Sequence, residues 1–123
     1  MSDAARSVTV VVNNNSDAFL TFQASTWQLY HGIWSQGLFP PSVIAPGTQG
    51  TFEAESQGLW TGTQGRCYYL FQDGVTVIVI EWDNPYDSSN LFNAPIVGPL
   101  QNSYQATFNQ PQGDNVAFTI DLS

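Results

Sequence analysis

The chain has 123 residues and a formal charge of −8, from ten acidic residues against Arg6 and Arg66, with no lysine. That balance excludes nucleic acid as a partner, since phosphate binding needs clustered Lys and Arg, and it excludes electrostatic attachment to anionic lipid. The length suits one domain, residues 1–123 with 1–6 as a flexible tail, and the single cysteine, Cys67, leaves no internal disulfide. A chain of this size buries roughly two thirds of its unfolded surface, so it folds without staples.

In chain order, Ser7 to Asn13 is predicted as a strand, because five of its seven residues are β-branched. Asn13 to Asp17 is a turn cluster, and Phe19 to Gln28 is predicted as a second strand in a hairpin with the first. Leu20, Phe22 and Ala24 then share one face. Trp27, Tyr30, His31 and Trp34 follow, in a segment broken by Gly32 and Gly37; Ile33-Trp34 is a short strand candidate. Residues 38–47 are an extended connection closed by Pro46-Gly47. Gly50 to Ser56 alternates, with Phe52 and Ala54 on one face and Thr51, Glu53 and Glu55 on the other, as a half-exposed strand does.

Residues 57–65 form a Gly/Thr loop that carries Leu59 and Trp60. Arg66 to Phe71 and Val75 to Trp82 read as strands joined by an Asp73-Gly74 hairpin turn. Leu91 to Ala94 is a further short strand, 95–99 is irregular, and Ser103 to Phe108 and Val116 to Leu122 are the last strands. No segment has useful helical periodicity. Short strands with turn signals between them predict an all-β fold, an antiparallel β-sandwich.

The N-terminal ten residues hold no apolar segment of signal-peptide length, and no run is long enough to cross a membrane as a helix. Cytoplasmic synthesis as a soluble protein, with any release by another route, is the expectation. For catalysis, His31 is the only histidine and no Gly-x-Ser-x-Gly exists, so a Ser/His/Asp site lacks its nucleophile elbow. Cys67 reads as a strand interior thiol. Glu53, Glu55 and Glu81 are the carboxylates available for glycoside hydrolysis, but Glu53 and Glu55 share a strand face that reads as solvated. No catalytic residue is assigned. No metal or cofactor is expected, because there is no His/Cys cluster and Asp83, Asn84 and Asp87 match no calcium loop.

The candidate site is the stretch 81–92. A long apolar strand runs into Trp82-Asp83-Asn84-Pro85-Tyr86. Pro85 cannot donate to a ladder and holds Asn84 extended, so the strand ends near Trp82 in a rigid corner. Trp82 and Tyr86 serve there either as ligand contacts or as plugs for the core end. Amphipathic rings at strand ends suit a membrane interface or a sugar face. Trp60 and Trp34 are the exposure candidates, whereas Trp27 and Trp82 read as caps on the core.

Three pieces in order carry a family resemblance: Ser25-Thr26-Trp27, the Thr-Gly-Thr-x-Gly loop Thr61 to Gly65, and Trp82 to Tyr86 followed by Ser88-Ser89-Asn90. Together they resemble the aegerolysins, small acidic β-sandwich proteins of fungi and bacteria. Pro85-Tyr86-Asp87 with Asn90 is also similar to the Pro-Tyr-Asp loop of the actinoporins, whose fold is related. The resemblance covers roughly residues 7–122. It implies an aegerolysin-like sandwich that binds a membrane sphingolipid, such as ceramide phosphoethanolamine or sphingomyelin with cholesterol. It also implies cooperation, as in some members, with a separate larger pore-forming protein. Trp82, Pro85 and Tyr86 carry over as binding residues, with Asp83 holding the corner.

Asn84 stands where many aegerolysins have cysteine, and Tyr86 replaces their usual tryptophan. The actinoporin amphipathic N-terminal helix has no counterpart, so pore formation by this chain alone is not expected. The same corner suits a sugar, as in fungal fruit-body lectins of related architecture. The expected ligand-binding residues are thus Trp82, Asp83, Asn84, Pro85, Tyr86, Trp60, Trp34 and Tyr30, facing a membrane sphingolipid or, alternatively, a glycan. The chain itself is expected as a monomer or homodimer.

Overall fold

A computed structural model describes residues 4–26 and 28–123, and among these it contains twelve strands and no helix. They are β1 (Ser7–Asn14), β2 (Leu20–Phe22), β3 (Leu29–His31), β4 (Ile33–Trp34), β5 (Val43–Ile44), β6 (Gln49–Glu55), β7 (Thr63–Leu70), β8 (Val77–Asn84), β9 (Leu91–Asn93), β10 (Ile96–Val97), β11 (Ala106–Phe108) and β12 (Asn115–Leu122). Trp27 lies outside the described residues, so its predicted capping role has no structural account.

The strands form two sheets. One has the order β11-β12-β1-β6-β4. The other runs β10-β8-β7-β2-β5, with β3 also paired to β7 and β9 to β8. The β7–β8 hairpin is the spine of this second sheet, continuous in register from Thr63↔Asn84 to Leu70↔Val77. Along the outer edge of β8, β10 pairs near its start and β9 near its end. On β7, β2 and β3 divide the opposite edge in the same way.

Most pairings are antiparallel, as the turn pattern predicts, but β1 and β12 run parallel from Ser7↔Asn115 to Asn14↔Leu122. The expected β1–β2 hairpin does not form, and the two strands lie in different sheets. The cause is at Asn14, whose buried amide donates to the carbonyls of Ala18 (2.8 Å), Ile44 (3.2 Å) and Ala45 (3.2 Å). Asn15 N–H meanwhile donates to Leu122 O at 2.8 Å. The turn cluster thereby becomes a corner between sheets. Strand alternation is the same on either side of a hairpin or a corner, so the pattern does not distinguish them.

Val8, Val10 and Val12 point inward from β1, and Ile78, Ile80 and Trp82 from β8. Each such side chain contributes roughly 1.5–3 kcal/mol through burial. At one side of the core, the rings of Trp34, Phe52 and Trp82 meet with centroids 5.8–6.0 Å apart. Cys67 is fully buried between sheets, and burial pushes its thiol pKa far up. It is an inert core side chain, as its strand position implies. Glu53 departs from expectation. It is buried rather than solvated, because residues 35–38 run alongside β6, Ser35 N donating to Glu53 O at 2.9 Å and Glu53 N to Leu38 O at 3.0 Å. Its Oε1 accepts from the Thr9 hydroxyl at 2.7 Å. Glu81 lies in the other sheet.

Candidate functional site

β8 continues two residues past Trp82, to Asn84, before Pro85 stops it. Two glycines of the Thr61–Gly65 loop explain how this end closes. A Cβ on Gly65 would meet the Trp82 ring and the Gln28 carbonyl, and one on Gly62 would meet the Asn84 carbonyl and the Pro85 backbone. The loop motif and the Trp82–Pro85 motif are therefore two sides of one close contact. The indole N–H of Trp82 donates to the Thr63 hydroxyl at 3.3 Å.

Asn84 is fully buried, and its amide donates to the carbonyls of Ser7 (3.2 Å) and Asp114 (2.9 Å). Asn90 does the same one loop on, donating to Pro111 O (3.2 Å) and Gly113 O (3.0 Å). Both amides tie the corner to the segment before β12. Neither role is visible in the sequence, where Asx residues near a proline read equally as turn caps. Asn84 does not reach a ligand from this position, and Trp82, only 2 % exposed, acts from beneath. Trp34 is half-buried against Phe52 and Trp82, which corrects its expected exposure.

Tyr86 follows Pro85 and is half-buried. The Arg6 guanidinium lies 4.9 Å from its ring centroid and donates to its backbone carbonyl at 2.7 Å. The same guanidinium pairs with Asp114 at 3.4 Å. Trp60 meets the Tyr86 ring edge to face, centroids 5.0 Å apart at 86°. Trp60 is 67 % exposed and its neighbour Leu59 79 %. Trp60 also holds φ +61°, in the left-handed region that a bulky L-residue rarely adopts. The Thr61 hydroxyl braces this turn by donating to Gln57 O (2.9 Å) and Gly58 O (2.8 Å). A strained backbone that holds an exposed tryptophan is the kind of conformation that concentrates at binding sites.

Two clefts open on the outer face of the second sheet. The first, about 380 Å³, is walled by Trp60, Tyr86, Pro85, Thr61 and His31. The second, about 370 Å³, is walled by Tyr30, Glu81, Leu91 and Asn93, with Trp82 and Gly65 beneath. Gln64 and Asp83 line both and form the seam. Strand register explains the seam, since His31↔Gln64, Gln64↔Asp83 and Asp83↔Leu91 place these residues in one row across β3, β7, β8 and β9. Desolvation raises the Asp83 carboxyl pKa above its ordinary value, against a smaller lowering pull from His31. Tyr30 accepts a hydrogen bond from Arg66, whose guanidinium lies 5.5 Å from the Tyr30 ring centroid and 5.6 Å from that of Tyr68.

Of the eight expected residues, Asp83, Pro85, Tyr86 and Trp60 therefore gather at the first cleft. Tyr30, with Asp83 and the underlying Trp82, borders the second. His31 is exposed on this outer face, away from the buried Cys67. Among the described residues no group of three His, Cys, Asp or Glu is placed to hold a metal ion.

The fold and site define an all-β sandwich whose strand ends present an aromatic-rimmed double cleft. The sequence model of the aegerolysin family matches residues 40–113, more than half of the chain and the whole of this site's loop and corner motifs, and the chain belongs to that family. The crystal structure of the lipid binding protein Nakanori superposes with a TM-score of 0.79 at 14 % identity, covering 98 % of this chain and 72 % of that one. At that identity the likeness establishes a shared fold. No curated protein matches the chain by sequence.

Proposed function

We propose that this protein is a non-enzymatic module that binds the head group of a membrane sphingolipid through the first cleft and the Leu59-Trp60 tip. The observation that carries this reading is the exposed Trp60, locked in a left-handed backbone and braced on Tyr86 beside a polar cleft. Tryptophan and tyrosine favour the interfacial zone, where the ring is sheltered and the polar edge stays wet. Asp83, Asp87, Thr61 and His31 offer hydrogen-bonding groups to a head group in that cleft. Ten acidic residues outnumber the two arginines, and Arg6 is paired with Asp114, so attraction to anionic lipid plays no part in this reading. Membership of the aegerolysins and the lipid-binding structural neighbour support the same reading.

In this reading the protein acts at a target membrane. Permeabilisation then needs a second, larger pore-forming chain. None of the described residues forms a helix long and apolar enough to cross a membrane. Sedimentation with sphingolipid/cholesterol vesicles, set against phosphatidylcholine vesicles, tests binding. Wild type should pellet selectively and Trp60→Ala should lose most of that binding with its circular dichroism unchanged. Equal pelleting on both lipids, or by both proteins, contradicts the proposal. Dye release from the same vesicles by wild type alone contradicts the need for a second chain.

A further inference from the structure

The second cleft has a different chemistry from the first. Among its described lining residues none is a cation. Its centre is a grid of outward-pointing polar side chains fixed by strand register: Glu81 and Asp83 along β8, Gln64 opposite Asp83 on β7, Asn93 opposite Glu81 on β9. Neighbours across strands stand about 4.8 Å apart and alternate residues along one strand about 6.6 Å, the scale of a single sugar ring. Two apolar walls flank the grid, Tyr30 at 42 % exposure and Leu91 at 66 %. Arg66 holds Tyr30 from outside the cleft, by its hydrogen bond to the hydroxyl and its place over the ring. An aromatic wall immobilised before binding loses less entropy when a ligand arrives.

Charge selects among ligands. Phosphate and carboxylate groups meet Glu81 and Asp83 with no cation among the described lining residues to offset them, and a small ammonium leaves the Leu91 wall uncovered. A neutral ligand with many hydroxyls and an apolar C–H face fits what remains. Hydroxyls donate to carboxylate and amide oxygens and accept from amide N–H groups, while the C–H face covers Tyr30 and Leu91. A volume of about 370 Å³ lies at the lower end of small-ligand clefts, roughly 300–1,000 Å³.

We propose that the cleft between Tyr30 and Leu91 is a binding site for a neutral pyranose sugar, separate from the Trp60–Tyr86 lipid cleft and joined to it at Gln64 and Asp83. The sugar belongs either to a glycolipid head group or to a free glycan. The site does not depend on the lipid proposal, because none of its walls is Trp60 or Tyr86.

Saturation-transfer NMR with methyl β-galactopyranoside, methyl β-glucopyranoside and methyl α-mannopyranoside tests it, with ethanolamine as the charged comparator. Wild type and Trp60→Ala should both transfer magnetisation to at least one glycoside. The Glu81→Ala/Asn93→Ala double variant, altered only on the sheet's outer face, should bind that glycoside about tenfold more weakly, as the loss of one to two net hydrogen bonds requires. Pelleting on glycosylceramide-doped phosphatidylcholine vesicles that the free glycoside competes away assigns the sugar to a glycolipid. Transfer without pelleting assigns it to a free glycan. No transfer to any of the three glycosides, transfer to ethanolamine alone, or unchanged affinity in the double variant overturns the site, whatever the outcome for sphingolipid.

Discussion

Arg6 shows how one side chain positions the candidate site. It crosses from the start of β1 to hold the Tyr86 carbonyl, the Tyr86 ring and Asp114 at once. The ion pair is partly solvent-screened, and together with the cation–π contact it contributes on the order of 1 kcal/mol. Arg6→Gln is expected to lower the melting temperature by a few degrees and to weaken vesicle binding through a looser Tyr86–Trp60 pair. Unchanged binding in that variant would place Arg6 outside the site's support.

Asp83 makes the second residue-scale case. Its carboxyl pKa is raised, first by desolvation. A carboxyl that holds its proton more tightly when folded costs stability where it is ionised, and that cost vanishes as pH falls through the raised pKa. Asp83→Asn should therefore melt higher than wild type at pH 7, with the gap closing towards about pH 4. A gap that stays constant over that range contradicts the burial cause. Trp60 was legible as an exposed ring from its Gly/Thr loop. Trp34 was not, because the rings that cover it, Phe52 and Trp82, come from β6 and β8 and are remote in sequence. Buried ties such as Asn84 to Asp114 are hidden for the same reason.

The elements that sequence located best are those whose partner is local. β7 and β8 join through a short turn, and their alternation of buried and half-buried residues matches the predicted strands to within a few positions. The turn itself is longer than a two-residue hairpin. Phe71 N–H donates to Thr76 O at 2.8 Å, and the Asp73 carboxylate accepts from Val75 N, Thr76 N and the Thr76 hydroxyl. The parallel β1–β12 pairing and the separation of β1 from β2 escape pattern reading, since each depends on which distant strand supplies a matching apolar face. The loop and corner motifs are coupled through Gly65, so Gly65→Ala forces a methyl into the Trp82 ring. Overpacking of this kind costs about 1–3 kcal/mol. Chemical denaturation should show that loss, together with a shifted Trp82 environment. A fully stable Gly65→Ala protein would mean that the ring packs elsewhere.

At the scale of the whole molecule, the sheets bring one end of the sandwich to a single chemistry. β8 delivers the corner, β7 the loop, β1 the clamp and β9 the far wall of the groove. A net charge of −8, with both arginines engaged, leaves the protein without a long-range pull on anionic surfaces. Binding by aromatics and hydrogen bonds is then weakly dependent on salt. The most direct measurement is tryptophan fluorescence on sphingolipid/cholesterol vesicles carrying brominated acyl chains, for wild type and Trp60→Phe. With Trp27 replaced by Phe in both proteins, strong quenching is expected where Trp60 is retained and loss of most of it in Trp60→Phe, since Trp82 is buried and Trp34 half-buried. Equal quenching in the two proteins, or bound wild type with no quenching, would show that the membrane is met by another face.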